Sequence, residues 1–265
     1  MIVALLFPGN SRTVSTKRPT KTEDTMPELE FNHRFVLEFA TENAPKGRIL
    51  DYGCGAGQVV RAGLERGLNI FGCEAFYEGG PHTQQLAKDL IGTRILQLNG
   101  GGIPFPDSTF DCVLSNQVFE HVENLDQVLT EINRVLTRGG VLLSLFPSVG
   151  VIREGHCGVP LAHRFSKSRF GYYWLLAGRT VGLGYFKENK TRRQWAHEFR
   201  DWLNNYCFYR TKKEILNSYY SHGFNVRHRE DDVIRMRRLP FFTPWMFRAL
   251  GGMVLESRKL SDVTG

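Results

Sequence analysis

A hydrophobic run that ends on an acid and then places glycine at every second position leaves few folds open. Residues 48–58 read RILDYGCGAGQ, with Gly53, Gly55 and Gly57 following Asp51. Glycine loses more backbone entropy on folding than any other residue, so three in five positions are costly unless something must approach the main chain closely. The flanking pattern is a buried strand, then a tight turn, then a helix beginning near Gln58. In an open parallel sheet, ligands bind beyond the carboxyl ends of the strands, where this turn lies.

The same rhythm continues from Gly47 onward. GRILDYG, LNIFGCE, TRILQL, FDCVLSN and VLLSLFP read as five strands. QVVRAGLERG, HTQQLAKDLI and LDQVLTEINRVLTRGG read as helices between them, the first and last with glycine stops. ELEFNHRFVLEFATENA supplies an earlier amphipathic helix. TKKEILNSYYSHG supplies a later one, with Thr211 and Glu214 at capping-box spacing. FNVRHRE and GMVLESRK are candidates for a sixth and a seventh strand. Alternation of this kind predicts an α/β fold: a doubly wound, seven-stranded, mostly parallel, Rossmann-like sheet with helices on both faces.

Four segments follow. Residues 1–27 read as a polar, flexible leader, and residues 28–147 as the cofactor-binding half of the domain. Residues 148–209 lose the rhythm and are rich in aromatics, from Phe165 to Tyr206; they read as an insertion forming a lid. Residues 210–265 complete the same domain. Charge divides along similar lines. Residues 1–150 carry 13 Lys/Arg against 17 Asp/Glu, and residues 151–265 carry 21 against 10. The basic part suits an anionic substrate, a membrane surface or nucleic acid, or is a solvated exterior. Five scattered cysteines without a C-x-x-C motif fit a reducing compartment, and no run is long enough for a spanning helix, so the expected location is cytoplasmic, with peripheral membrane contact open.

The glycine turn separates two ligand classes. A dinucleotide fingerprint needs its third glycine where Gln58 stands. The form present, D-x-G-x-G-x-G, resembles the first motif of class I S-adenosylmethionine-dependent methyltransferases. The stretch LQLNGGGIPFPDSTFDCVLSNQVFEHV and the following EINRVLTRGGVLLS are similar to the broad type 11 group of that family. The likeness covers residues 45–147 well and residues 211–230 only generally. It implies S-adenosylmethionine as cofactor. Asp51 would face its ammonium, and Gly53, Cys54, Gly55, Gly57 and Gln58 would line its methionine part. Glu74 and Ala75 would lie at the ribose, Asn99 and Gly100 at the adenine, and Asn116 and Gln117 beside the sulfonium. Asn99 stands where the group usually has Asp, so it can accept from the adenine amino group without bearing a charge.

Methyl transfer is an in-line displacement that mainly needs alignment, and an oxygen nucleophile of high pKa also needs a base. Candidate bases are His121, His156 and His163, the last two in REGHCGVPLAHRF. Glu154, His156 and His163 match no recognised metal spacing, so no metal is expected. The expected acceptor is a small molecule, a glycan or a lipid-linked compound, methylated at oxygen. LPFFTPWMFRAL, residues 239–250, could lie on a membrane or pack as a helix on the sheet. The rivals are a nucleic-acid methyltransferase, against which no recognition module or N-P-P-Y-type motif is found, and a non-catalytic scaffold retaining the cofactor fold.

Overall fold

The computed structural model of the chain describes residues 29–76, 87–238, 245–246 and 252–260. The expected leader, most of the helix expected over HTQQLAKDLI, and all of residues 239–250 except Trp245 and Met246 lie outside the described residues. The chain divides into two compact units, one of Asn32–Gly150 with Cys207–Gly265, the other containing Val151–Tyr206.

The larger unit is the sheet. Its strands are β1 (Arg48–Tyr52), β2 (Asn69–Glu74), β3 (Ile95–Gln97), β4 (Phe110–Asn116), β5 (Leu136–Pro147), β6 (Phe224–His228) and β7 (Gly252–Lys259). Their order is β3-β2-β1-β4-β5-β7-β6. β1 pairs in parallel with β2 and β4, β2 with β3 and β4 with β5, while β7 runs antiparallel to both neighbours. The chain moves outward from β1 to β3, then returns to β4 on the other side of β1. That reversal opens a crevice between the carboxyl ends of β1 and β4.

Helices α1 (Phe31–Asn43), α2 (Gln58–Glu65), α3 (Leu125–Val135), α7 (Lys212–Ser221) and α8 (Glu230–Met236) belong to this unit. β1 alternates, so one face carries Leu50 and Tyr52 and the other Ile49 and Asp51. The first face joins a continuous core with Leu129 and Ile132 of α3 and with Ile215 and Tyr219 of α7. On the opposite face α2 approaches closely: a Cβ on Gly63 would lie 2.8 Å from Ile70 of β2 and 3.3 Å from Leu37 of α1. The sequence pattern therefore places helices on both faces, as expected. The capping box at Thr211 and Glu214 is present, and Gly223 follows the helix with φ +75°.

Two expectations need correction. α3 does not run on to a glycine stop; it ends at Val135, and residues 136–140 already belong to β5. The last helical carbonyls find other donors. Lys259 Nζ reaches Asn133 O at 2.7 Å and Leu136 O at 2.9 Å, and the amides of Ser108 and Thr109 take Arg134 O and Val135 O. β5 is then bulged against β4: Phe110 pairs with Leu136 but Cys112 with Val141. The second correction concerns HTQQLAKDLI, whose described end forms a turn at residues 88–90.

The smaller unit is helical where periodicity is weak. It holds α4 (Ala162–Phe165), α5 (Arg169–Thr180) and α6 (Arg192–Tyr206). Trp195 of α6 is fully buried and donates to Tyr185 O at 2.7 Å. No helix of the described residues is long and apolar enough to cross a membrane.

Within the larger unit, Ser144 Oγ and Tyr219 Oη form a polar pair at 2.7 Å, both residues fully buried. Burial pushes the Tyr219 phenol well above its usual range, so it remains neutral. Tyr219→Phe keeps the ring and orphans the serine hydroxyl. The expected loss is about 1–2 kcal/mol, read from urea unfolding, with the cooperative transition retained.

Candidate active site

The glycine turn after β1 is fastened to β2 by main-chain bonds. The amides of Gly53 and Cys54 both donate to Cys73 O, at 2.9 and 3.1 Å, and Gly57 N closes the turn onto Cys54 O at 2.9 Å. Glu74, the last residue of β2, adds its side chain: Oε2 accepts from Gly55 N and Oε1 from Ala75 N, each at 2.8 Å. Its carbonyl accepts from Leu98 N, just past β3. A carboxylate has about four lone-pair sites, so each oxygen can still accept from a hydroxyl.

The turn's glycines meet different demands. Gly57, at φ +76°, precedes α2, and a Cβ there would lie 2.6 Å from Ile95 Cδ1. Gly55, at φ +52°, has no atom within 4 Å of an ideal Cβ. Backbone conformation demands both, and Gly55 alone of the two also faces open space.

Asp51 is 3% exposed. Its carboxyl is pushed up to about 7, first by burial and then by the charge of Glu74. Two acids thus share the top of the crevice, and without a cation one of them is held half neutral. Burial likewise drives the Cys54 and Cys73 thiols far up, which leaves them as packing groups. The Cys54 side chain turns toward β2, where a Cβ on Gly72 would meet its Sγ at 2.8 Å. Gln58 is exposed at the first position of α2.

Across the crevice, Asn116 ends β4, and its Oδ1 is buried without a hydrogen-bond partner among the described residues. An orphaned buried acceptor costs about 1–3 kcal/mol and calls for a donor. Gln117 is held differently. At φ +58° it donates both N–H and Nε2–H to Leu145 O. Asn99 begins a tight turn: Asn99 and Gly102 exchange both main-chain bonds, with Gly100 at φ +58° and Gly101 at φ +91°. Two successive left-handed residues account for the glycine run. Gln127 of α3 lies against it, so a Cβ on Gly101 would meet Nε2 at 2.8 Å.

His121 lies in a 3-10 turn, Phe119–His121, beyond β4. His156 and His163 belong to the smaller unit. His163 is in α4, whereas His156 is clamped: Glu154, fully buried, accepts from His156 Nδ1 at 2.6 Å and from the amides of His156 and Cys157 at 2.9 and 2.6 Å. An ionised carboxylate only accepts, so Nδ1 carries the proton. The imidazole also packs on Trp202, ring centres 4.7 Å apart. This orienting role of Glu154 was not drawn from the sequence; the E-x-H spacing in a glycine-bearing turn was its only trace.

The residues present fit a ligand carrying an ammonium, vicinal hydroxyls and amide-like donors: a buried acid, a second acid with spare lone pairs, an unmet acceptor on Asn116 and an open face at Gly55. The buried acid has a measurable signature. An unfolded chain releases the Asp51 proton near 3.8, the folded one near 7. Between those values only the native state holds the proton, so this group's contribution to stability falls as pH rises, by up to about 1.4 kcal/mol per pH unit, and levels off above 7. Asp51→Asn removes that slope. Stability measured by denaturant at pH 5 and pH 8 should therefore change less in the variant than in the parent chain.

Comparison with known proteins agrees with this geometry. Residues 50–144 match the methyltransferase domain family of type 11. An uncharacterized protein of Methanocaldococcus jannaschii is 29% identical over 147 residues, 54% of this chain and 63% of the relative. A demethylmenaquinone methyltransferase of Symbiobacterium thermophilum is 35% identical over 127 residues, 44% of this chain and 48% of the relative. The chain thus spans less than two thirds of the length of these curated relatives. Among solved structures, an S-adenosylmethionine-dependent methyltransferase from Mesorhizobium loti superposes with a TM-score of 0.51 at 17% identity, covering 84% of this chain and 96% of that one; this likeness concerns the fold. Strand order, glycine turn and family match converge: residues 50–144 match a methyltransferase domain of type 11, on a fold like that of an S-adenosylmethionine-dependent methyltransferase.

Proposed function

We propose that the chain binds S-adenosylmethionine at the β1–β4 crevice and transfers its methyl group to a small-molecule acceptor. The observation that carries this reading is the buried Asp51 carboxyl beside Glu74, at the foot of a turn whose Gly55 opens outward. A cationic, hydroxyl-bearing ligand relieves that repulsion. When bound, the cofactor supplies a methyl carbon activated by a sulfonium, with a neutral thioether as leaving group.

The protein's part is positioning. Asp51 receives the ammonium, directly or through water. Glu74 accepts from the ribose hydroxyls while continuing to hold Gly55 N and Ala75 N. Gly53, Cys54 and Gly57 shape the turn by their main chain, and Gln58 and Ala75 border it. Asn99 and Gly100 border the adenine. The unmet Oδ1 of Asn116 takes a donor near the sulfonium, with Gln117 beside it. The proposed proton acceptors are His121, His156 and His163. Of these His156 has its tautomer fixed by Glu154, which presents Nε2 as the basic nitrogen.

The acceptor class rests on a relative's name and on charge. The Symbiobacterium relative is a demethylmenaquinone methyltransferase, and the basic second part of this chain suits a substrate bearing negative charge. We therefore read the acceptor as a small-molecule, glycan or lipid-linked compound; the choice of oxygen as the methylated atom rests on the candidate histidine bases and not on these relatives.

Titration calorimetry tests the cofactor claim. Asp51→Asn and Glu74→Gln should each weaken S-adenosylmethionine binding by roughly 10–100-fold, the scale of one charged hydrogen bond. Affinity in the parent chain should also fall as pH drops below 7, approaching tenfold per unit, because the ligand must displace the Asp51 proton. That range lies below the titration of an α-amino group, so the ligand's own charge is constant. Absence of binding would remove the reading. Binding without label transfer to any acceptor would leave a non-catalytic fold in its place.

A further inference from the structure

The outward face of α5 is built of the wrong residues for water. Its inward row is Gly171, Leu175 and Gly178, all buried. The opposite row is Phe170, Tyr173 and Ala177, continued by the C-cap Val181. An ordinary surface helix would place charged side chains on that row. Here Phe170 is 51% exposed, Tyr173 64% and Val181 76%. The turn after the helix extends the strip: Leu183 and Phe186 are exposed as well, Phe186 at φ +50°. Lys187 Nζ bonds back to Gly182 O and holds this turn folded.

The strip is ordered in advance. Phe170 packs edge-on against Phe165 at 5.2 Å and beside Trp174 at 5.7 Å, and Trp174 Nε1 donates to Pro160 O at 2.6 Å. Little side-chain freedom remains to be lost on docking. The charge around it is predominantly positive, although the exposed Glu188 follows the turn. From residue 155 to residue 187 the chain contains no Asp or Glu and five Lys/Arg: Arg164, Lys167, Arg169, Arg179 and Lys187. Lys167 and Arg169 are exposed at the start of the helix.

We infer that this face of the smaller unit docks on an anionic lipid bilayer, the aromatic and aliphatic strip entering the interfacial zone and the cations meeting lipid phosphates. Two observations favour a bilayer over another copy of the chain. A second copy would bring two net-cationic rims together. Its mixture of Phe, Tyr, Val and Leu with flanking Lys and Arg is the composition that partitions to the headgroup boundary. The proposal is independent of the methyl-transfer reading, since none of these residues belongs to the crevice.

Flotation of the full chain with vesicles decides it. With equal parts phosphatidylcholine and phosphatidylglycerol the chain should float; with phosphatidylcholine alone it should stay largely in solution. Tyr173→Ser with Val181→Asp should lower the partition by about tenfold or more. Lys167→Gln with Arg169→Gln should lower it by about fivefold per cation, and added salt should mimic this. All four positions are exposed, so the variants should keep the parent's circular dichroism and its affinity for S-adenosylmethionine. Failure to float with the anionic vesicles overturns the proposal, as does flotation that none of these substitutions alters. Dimerisation in sedimentation that Tyr173→Ser with Val181→Asp abolishes, without vesicle binding, would assign the face to a second copy instead.

Discussion

One carbonyl organises the top of this sheet. Cys73 O receives two consecutive amides from the turn after β1 and so fixes where the chain leaves the strand. One residue later the Glu74 side chain reaches Gly55 N and its carbonyl reaches Leu98 N, so β1, β2 and the exit of β3 are joined at a single point. Everything that gives the crevice its chemistry depends on this knot. Asp51 lies beneath it, Gly55 opens above it, and α2 starts from it with Gly57 wedged against Ile95.

The knot also concentrates negative charge. Burying a carboxyl with a second acid beside it runs against stability near neutral pH, where fold and charge make opposite demands on Asp51. An apolar residue there would serve the fold better. Retaining an acid makes sense in a crevice whose occupant arrives with positive charge. The acceptor on Asn116, unmet among the described residues, belongs to the same pattern, since a ligand donor would remove its cost.

Much of this was legible in the residues. The strands of the parallel half are largely buried and announce themselves as apolar runs, and the motif DYGCGAG marks the carboxyl end of β1. Thr211 and Glu214 locate α7 because a capping box is a purely local signal. What escaped was settled at long range. α3 ends before its glycines because Lys259, far along the chain, supplies the donor that a glycine cap would otherwise provide. The helices of the smaller unit lack a clear period because the outward row of α5 is as apolar as its inward one. Gly100 and Gly101 form a tight turn braced by Gln127, a contact made between segments. The clamp of Glu154 on His156 left only a two-residue spacing to notice.

The antiparallel strand has a kinetic corollary. β6 touches the rest of the sheet only through β7, which is made after it and must slide between β5 and β6. Until the ribosome has passed Lys259, the exposed edge of β5 has no partner, β6 has none at all, and the carbonyls at the end of α3 lack their lysine. The parallel half can assemble as it emerges, while the final third waits as an open edge that a holding chaperone would be suited to cover. Closure of this sheet therefore has to wait for its antiparallel strand, whereas the strands that frame the ligand-facing corner are all made earlier.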